Sequence, residues 1–309
     1  MSTILITGGT GLIGKPLAKS LVALGHEVFI LSRTKPATSP DPKISFSIWD
    51  PEKGVIDREL VGRADYIVHL AGAGVADKRW TKKRKEEIVQ SRVKSGELLV
   101  KTLKETDHHV KALISASAIG WYGEDPSIPN PRPFTETDKA SPDFLGKACL
   151  LWEKSLDGLN DTPVRVVKFR TGIVLSMEGG ALKEFAKPLK AGLATILGSG
   201  KQVISWIHID DMVRLYLDAI KDESIKGVFN AVAPVPVSNK ELVLKLAELE
   251  RKNFFIPVHV PGFALKIAMG EMSTEVLKST TVNCDKLHVA GYTFLFPTID
   301  AALGALVKR

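Results

Sequence analysis

Three glycines spaced three residues apart, Gly8, Gly11 and Gly14, form the pattern in this sequence that most directly indicates chemistry. They follow an apolar, β-prone run at residues 4–7 and lead at once into an amphipathic stretch at residues 12–24. In such a turn, one glycine permits a sharp bend, one lets the backbone approach a pyrophosphate, and one lets helix and strand pack closely. The helix N-terminus then offers unpaired N–H groups to the phosphates. The sequence therefore predicts a dinucleotide site that includes Gly8, Thr10, Gly11, Leu12, Ile13 and Gly14, with a plain strand-to-helix turn as the alternative.

The end of the second predicted strand carries a hydroxyl and a guanidinium group, on Ser32 and Arg33. An acidic side chain at this place would hydrogen-bond the ribose 2′-OH of NAD, whereas Ser and Arg suit the 2′-phosphate of NADP. A solvated Arg at a strand end is the alternative, but the pattern favours NADP as the cofactor. Asp50 follows the third predicted strand, where facing the adenine and capping a turn with Pro51 are equally good interpretations.

Small residues and hydroxyl groups follow two further predicted strands. The strand at residues 65–72 ends in Ala71-Gly72, which would let the chain pass close beneath a flat ligand. The strand at residues 110–117 leads into a loop that contains Ser117 and Tyr122. Ligands bind at the C-terminal ends of parallel strands in open α/β sheets, so these two hydroxyl groups are candidates to handle a substrate oxygen. For Tyr122, a packing role is the alternative.

Strands and helices alternate through most of the chain, and this alternation predicts an α/β fold with a doubly wound parallel sheet. The regular alternation ends near residue 230. We therefore predict a dinucleotide-binding domain at residues 1–230, with insertions belonging to a substrate lobe around residues 171–210. A smaller C-terminal α/β domain is predicted at residues 231–309.

Composition limits the class of protein. With 309 residues, 44% of them apolar, the chain can bury a sizeable core, and its net charge of +7 is modest. The two cysteines, Cys149 and Cys284, show no metal-ligand spacing, which argues against a zinc site or a disulfide framework. The first predicted strand begins close to Met1, and no apolar run is long enough to span a bilayer. A cytoplasmic protein is therefore expected.

Basic residues surround Trp80 in the stretch at residues 78–85, and interleaved basic and aromatic residues can indicate nucleic-acid binding. The rest of the chain shows no such stripe, and exposed helix faces are commonly charged. An anionic substrate or a cofactor phosphate is the better interpretation. We expect a small-molecule substrate, with no nucleic acid and no membrane as partner, and the sequence leaves the oligomeric state open.

Several motifs together resemble the extended short-chain dehydrogenase/reductase superfamily, in the branch that holds sugar-nucleotide epimerases and dehydratases. They are the glycine turn, His69-Leu70-Ala71-Gly72 and Trp206-Ile207-His208-Ile209-Asp210-Asp211. The chain is similar to atypical epimerase-family proteins sometimes called cell-division inhibitors, through Arg79-Trp80-Thr81, Ser91-Arg92, Ser115-Ala116-Ser117-Ala118, Trp152-Glu153, Gly270-Glu271-Met272 and Gly291-Tyr292. The resemblance implies a Rossmann domain, an NADP site and a small C-terminal domain. It also implies that Ser32, Arg33, Leu70, Ala71, Glu87, Arg92 and Val174 lie around the cofactor.

One departure from the superfamily bears on activity. Its catalytic members use a Tyr whose phenol transfers a proton, a Lys four residues later that lowers the pKa of that phenol, and a Ser that orients the carbonyl. Here the Tyr and Lys positions fall at Leu145 and Cys149, or at Phe144 and Lys147 in a shifted alignment, and the Ser position falls at Ser117. One hypothesis is an NADP-dependent epimerase or reductase acting on a small carbonyl or sugar-like substrate. The other is a redox sensor or interaction protein that binds NADP without chemistry.

Overall fold

The structure, a computed structural model, describes residues 1–34, 41–252 and 254–308. Its strands, in chain order, are β1 (Thr3–Thr7), β2 (Glu27–Ser32), β3 (Ile44–Ile48), β4 (Tyr66–His69), β5 (Ala112–Ala118), β6 (Arg165–Thr171), β7 (Ile173–Leu175), β8 (Leu193–Leu197), β9 (Val203–Ile204), β10 (Trp206–His208), β11 (Gly227–Ala231), β12 (Val237–Ser238) and β13 (Ile256–Val260). Its α-helices are α1 (Gly14–Ala23), α2 (Arg58–Arg63), α3 (Lys82–Glu105), α4 (Phe144–Lys154), α5 (Gly180–Leu189), α6 (Ile209–Lys221), α7 (Asn239–Arg251), α8 (Gly262–Met269), α9 (Ser273–Leu277), α10 (Asp285–Val289) and α11 (Ile299–Val307). Short 3₁₀ helices lie at Ile119–Trp121, Asp157–Leu159 and Gly270–Met272.

Within these described ranges, seven strands form one sheet in the spatial order β11-β6-β5-β4-β1-β2-β3, and every neighbouring pair is parallel. The strand order reverses at β1, where Thr7 lies opposite His69 of β4. A reversal of this kind opens a crevice at the C-terminal ends of the strands, which is where ligands bind in such sheets. The predicted α/β fold with a doubly wound parallel sheet is confirmed.

Apolar side chains cover both faces of the main sheet because successive strand residues point in opposite directions. Ile4 and Ile6 of β1 join a large buried cluster with residues of α1 and α6. Leu5, between them, joins a second cluster with residues of α2 and α3 on the opposite face. A parallel sheet needs this double cover, and the apolar runs of its strands reflect it. The core therefore holds rigid the strand ends that form the crevice.

Side-chain caps fix the start of the two helices beside the crevice. The Thr81 hydroxyl accepts a hydrogen bond from the backbone N–H of Arg84 at 3.1 Å, so α3 begins after Thr81. The Asp143 carboxylate accepts from the backbone N–H of Gly146 at 2.7 Å and caps α4 in the same way. Much of the predicted basic stretch at residues 78–85 therefore precedes α3 or forms its first turn.

The C-terminal part of the chain consists of small two-stranded sheets and short helices. β8 lies in the segment predicted as an insertion, and it pairs in parallel with β13 near the end of the chain. β9 pairs with β12, and α7 packs against β8 and α11. The boundary predicted at residue 230 falls inside β11, the strand that pairs with β6 at one edge of the main sheet. Among the residues described, no helix has the length and apolar character that a membrane crossing requires.

Candidate functional site

The glycine turn between β1 and α1 leaves open space where a diphosphate could approach the backbone. A Cβ on Gly14 would lie 2.4 Å from the carbonyl oxygen of Gly8, so this glycine permits helix and strand to pack closely. Gly8 has a φ of +69°, and a Cβ there would lie 2.8 Å from the carbonyl carbon of Leu70. A Cβ on Gly11 would meet only the Gly8 oxygen, at 3.2 Å, and so points away from the packed side of the turn. This arrangement fits a pyrophosphate close to Gly11.

A cavity of about 520 Å³ lies over this turn and the adjoining strand ends. Nine of the residues predicted to bind the cofactor line it: Gly8, Thr10, Gly11, Ser32, Arg33, Leu70, Ala71, Gly72 and Glu87. Asp50 also lines it, beside Trp49, in line with the adenine-facing interpretation, while its backbone pairs with Val55 in a turn. We call this cavity the dinucleotide pocket.

The other predicted cofactor residues lie around the dinucleotide pocket or behind it. Leu12 faces the start of α5, since its Cδ2 would lie 3.2 Å from a Cβ placed on Gly180. Ile13 and Val174 are half-buried and pack against the large core cluster. Arg92 lines a second cavity described below. These placements leave their contact with a bound cofactor as a prediction.

Charges of both signs surround the end of the dinucleotide pocket at Arg33, whose side chain is exposed. The pKa of Glu87 is lowered chiefly by a hydrogen bond from Arg84, whose Nη1 lies 2.8 Å from its Oε2, and further by the charges of Arg84, Lys78 and Arg33. Glu87 is therefore ionised, but its charge is balanced by several cations. The pocket end retains a guanidinium group, on Arg33, that can meet a phosphate.

A second cavity, of about 420 Å³, adjoins the dinucleotide pocket at Arg92. A Cβ on Gly72, in the first pocket, would lie 3.1 Å from Cζ of Arg92, which lines the second. The Arg92 Nη1 donates to the backbone oxygens of Ala73 and Ile88 at 3.0 and 2.9 Å, and its guanidinium lies 4.9 Å from the Trp152 ring centre. We call the second cavity the substrate cleft.

The side chains of Leu145 and Cys149 both line the substrate cleft. Burial raises the pKa of the Cys149 thiol to about 12, although the neighbouring Arg92 charge opposes this. The shifted alignment fits the structure less well, because Phe144 packs against Trp80 with ring centres 4.9 Å apart and Lys147 is exposed. Helix α4 therefore presents an aliphatic group and a neutral thiol to the cleft where catalytic members of the superfamily present a phenol and an ammonium group.

The structure buries Ser117 and Tyr122, the two residues predicted to be catalytic, outside the lining of the cleft. Ser117 is 2% exposed and its hydroxyl donates to Oε1 of Glu153 at 2.7 Å. Tyr122 is fully buried, donates to Oδ1 of Asn230 at 2.6 Å and accepts from Nη1 of Arg170 at 3.1 Å. Burial raises the pKa of Tyr122 to about 12, against the charge and hydrogen bond of Arg170. Both hydroxyl groups are bonded inside the protein, and neither side chain lines the cleft.

The reason for this placement is a buried ion pair behind the cleft. Nε of Arg170 donates to Oε1 of Glu153 at 2.8 Å, and the side chains are 3% and 8% exposed. Buried charges need several hydrogen-bond partners, and Ser117 and Tyr122 supply two of them. The Tyr122 ring also stacks on Phe134, with ring centres 5.2 Å apart. The alternative interpretation of Tyr122, a packing residue, agrees with these contacts.

Known proteins resemble the whole length of this chain. The model of the NAD dependent epimerase/dehydratase family matches residues 4–152, and a domain of unknown function, DUF1731, matches residues 260–306. An epimerase family protein of Staphylococcus saprophyticus is 37% identical over 310 residues, which cover 99% of this chain and 100% of the relative. The chain belongs to the epimerase family. A member from Staphylococcus aureus is 35% identical over the full length of both proteins.

Solved structures of the epimerase family match this fold. The human epimerase family protein SDR39U1 (isoform 2) with NADPH gives a TM-score of 0.86 at 28% identity, covering 99% of both chains. A nucleoside-diphosphate sugar epimerase from Corynebacterium glutamicum gives 0.77 at 33% identity, covering 99% of this chain and 58% of that one. A UDP-N-acetylglucosamine 4-epimerase from Bacillus cereus, 16% identical with a TM-score of 0.77, shows the shared fold alone. The resemblance to atypical members of the superfamily is confirmed.

Several residues of the substrate cleft in this epimerase-family chain lie outside the sites predicted from sequence. Trp80 lines the cleft and donates from its ring nitrogen to the Val75 carbonyl at 2.9 Å. Glu275 and Lys278, from α9 and the residue after it, also line the cleft and form an ion pair at 2.7 Å. Burial raises the pKa of Glu275, and Lys278 opposes that shift. In the sequence, only the family motifs at residues 79–81 and 270–272 pointed to this region, and neither motif indicates that its residues line a cavity.

Proposed function

We propose that this chain binds NADP(H) in the dinucleotide pocket and catalyses oxidoreduction of a small carbonyl compound in the substrate cleft. The observation that carries the proposal is the junction of the two cavities, where Gly72 of the pocket lies against Arg92 of the cleft. A cofactor that extends from Arg33 across the glycine turn would end at this junction. The solved structure of human SDR39U1 with NADPH supports the same cofactor here.

The residues that would hold the cofactor each supply a specific contact. The start of α1 would offer backbone N–H groups to the diphosphate, and Gly11 would leave room for it; Ser32 and Arg33 would offer a hydroxyl and a guanidinium to the 2′-phosphate. When bound, NADPH supplies the hydride that reduces a carbonyl carbon, and a proton delivered to the oxygen completes the alcohol. The apolar walls of the cleft would limit the access of water to this exchange.

A proton donor for this reaction has to come from elements other than α4. Glu275 lines the cleft, and burial raises the pKa of its carboxyl group against the opposing hydrogen bond and charge of Lys278; a raised pKa is the direction that a general acid requires. Lys278 lies 2.7 Å from Glu275 and holds its side chain in place. Once Glu275 has donated its proton, the ammonium group of Lys278 balances the negative charge of the carboxylate. We propose this pair, in place of Ser117 and Tyr122, as the proton-handling group.

A second candidate function is a non-catalytic NADP(H)-binding sensor or interaction protein. The specific observation in its favour is that Leu145 and Cys149 face the cleft where a catalytic phenol and ammonium group would be expected. A protein of this kind would still need an intact dinucleotide pocket. The two candidates therefore differ in turnover and agree in cofactor binding.

One set of measurements distinguishes the two candidates. NADPH binding is measured first by cofactor fluorescence, and then NADPH oxidation is followed with a panel of small aldehydes, ketones and sugar nucleotides. The enzyme hypothesis expects turnover of at least one carbonyl compound, with a large loss of kcat in Glu275→Gln and unchanged NADPH affinity. Glu271→Gln, a change in a half-exposed Glu of the neighbouring 3₁₀ helix, serves as the matched control. Tight NADPH binding with no turnover across the panel would favour the sensor.

A further inference from the structure

The walls of the substrate cleft are mainly apolar. Large apolar side chains from separate parts of the chain line it, among them Trp80, Ile88, Leu145, Ile173, Phe185 and Met272. Trp80, Ile88 and Met272 form a buried cluster of their own, against which Leu145 packs. A volume of about 420 Å³ is sufficient for a small organic ligand.

Several polar side chains of the cleft are already hydrogen-bonded within the protein, whereas the ring nitrogen of Trp152 is buried without a partner among the described residues. The Ser205 hydroxyl donates to the backbone oxygen of Thr280 at 2.8 Å, and the Thr280 hydroxyl donates to the backbone oxygen of Gly123 at 3.2 Å. The Asn239 Oδ1 accepts from the backbone N–H of Leu197 at 2.9 Å. A sugar with several hydroxyl groups would lose hydrogen bonds to water on entering such a site and would regain few of them. The cleft therefore disfavours a polyhydroxylated ligand.

Of the two cations that line the cleft, Lys278 is paired with carboxylates and Arg92 donates to backbone oxygens. Lys278 lies 2.7 Å from a carboxylate oxygen of Glu275 and 3.5 Å from one of Asp143. The Arg92 Nη1 is shared between two backbone oxygens, at 3.0 and 2.9 Å. A diphosphate near Lys278 would meet the Asp143 carboxylate, which carries its own charge, and an ammonium group already held by two carboxyl groups. Charge repulsion thus opposes a nucleotide-linked substrate at this end of the cleft.

We propose that the substrate cleft takes an uncharged, mainly apolar carbonyl compound, and that it discriminates against nucleotide sugars. This inference rests on the proposed function, since it names the substrate class of the same site. The apolar walls contribute the binding free energy, while the bonded polar groups and the carboxylates reject hydroxylated and phosphorylated ligands. The fold shared with sugar-nucleotide epimerases would then hold a cleft of different chemistry.

The test is a calorimetric comparison of two probes, 2-acetylnaphthalene and UDP-glucose, on the full chain with and without NADPH. We expect the ketone to bind at least about tenfold more tightly than UDP-glucose. Phe185→Glu and Ile173→Glu place a carboxylate on the cleft wall and should weaken ketone binding by about tenfold or more, with unchanged NADPH affinity. Phe263→Glu and Ile267→Glu, at sites 70% and 72% exposed and outside the lining of the cleft, should bind the ketone as the parent does.

Three results would overturn this inference: tighter binding of UDP-glucose, no binding of the ketone, or ketone binding by both cleft variants that equals the parent. Ile173 is 37% exposed, so Ile173→Glu should fold even if Phe185→Glu does not, and circular dichroism checks both. Absence of NADPH binding would contradict the proposed function instead. The probe titrations without NADPH still decide the ligand class in that case.

Discussion

The Thr7 hydroxyl lies 2.7 Å from Nδ1 of His69, across the junction of β1 and β4. The Thr7 oxygen accepts the backbone N–H groups of Leu70 and Ala71, both at 3.1 Å, so its own hydrogen is donated to His69. Nε2 therefore carries the imidazole hydrogen, which Ser95 Oγ, 3.2 Å away, accepts. This network holds the neutral imidazole directly behind the glycine turn.

The buried imidazole predicts a loss of stability in acid. Burial, aided by the charge of Arg92, lowers the pKa of His69 to about 3, whereas the unfolded chain takes up this proton near its ordinary pKa of 6.5. Stability from this group is thus present above about pH 6.5 and is lost as the pH falls towards 3, by at most about 1.4 kcal/mol per pH unit. Urea unfolding between about pH 7 and about pH 5 measures the slope.

A matched pair of variants assigns that slope. His69→Asn keeps an oxygen that can accept from Thr7 and should flatten the dependence on pH, whereas the exposed His109→Asn should leave it unchanged. A slope in His69→Asn as steep as in the parent would remove His69 as its cause.

Arg33 should set the choice of cofactor. A guanidinium on the 2′-phosphate is a charge-assisted contact worth about 1.5 to 3 kcal/mol, so NADPH should bind at least about tenfold more tightly than NADH. Arg33→Ala should abolish this preference and leave NADH affinity nearly unchanged, because NADH carries no 2′-phosphate. Arg63→Ala, at another exposed site, is the control. Equal affinities of the parent for the two cofactors, by fluorescence titration, would show the NADP assignment to be wrong.

Gly11→Val should abolish cofactor binding while the protein stays folded. The nearest atom to a Cβ at this position is the Gly8 oxygen at 3.2 Å, so a branched side chain would extend into the space for the diphosphate with little strain in the fold. Gly304→Val, where a Cβ meets no atom within 4 Å, is the control. Circular dichroism and NADPH titration on the same sample measure both properties. Undiminished NADPH binding in Gly11→Val would show that this glycine serves the turn alone.

Tyr122→Phe should lower stability and leave NADPH affinity unchanged. It removes the partner of Asn230 and one partner of Arg170 inside the protein, at a cost of about 1 to 3 kcal/mol of unfolding free energy. Tyr216→Phe is a matched control, because Tyr216 is also fully buried and its hydroxyl has no hydrogen-bond partner among the described residues. That variant should be nearly neutral. Equal unfolding free energies for the two variants in urea would contradict the role given to Tyr122.

The sequence by itself determined the features that depend on neighbouring residues. The spacing of Gly8, Gly11 and Gly14 after an apolar strand predicted the turn, because backbone conformation and close approach are local requirements. Alternation of strands and helices predicted the doubly wound sheet. The resemblance to the superfamily, rather than local requirements, placed the absent catalytic pair at Leu145 and Cys149, or at Phe144 and Lys147 in a shifted alignment.

Only the tertiary structure decided which way the hydroxyl groups of Ser117 and Tyr122 point. Both follow a parallel strand in sequence, but the Glu153–Arg170 ion pair, formed by distant segments, draws both into the protein. The composition of the cleft wall could not be predicted from the sequence either, because Met272 joins it only when the C-terminal segment packs against α3 and α4. A buried charge is hydrogen-bonded by groups that are close in space, and the local sequence pattern does not indicate which hydroxyl groups these will be.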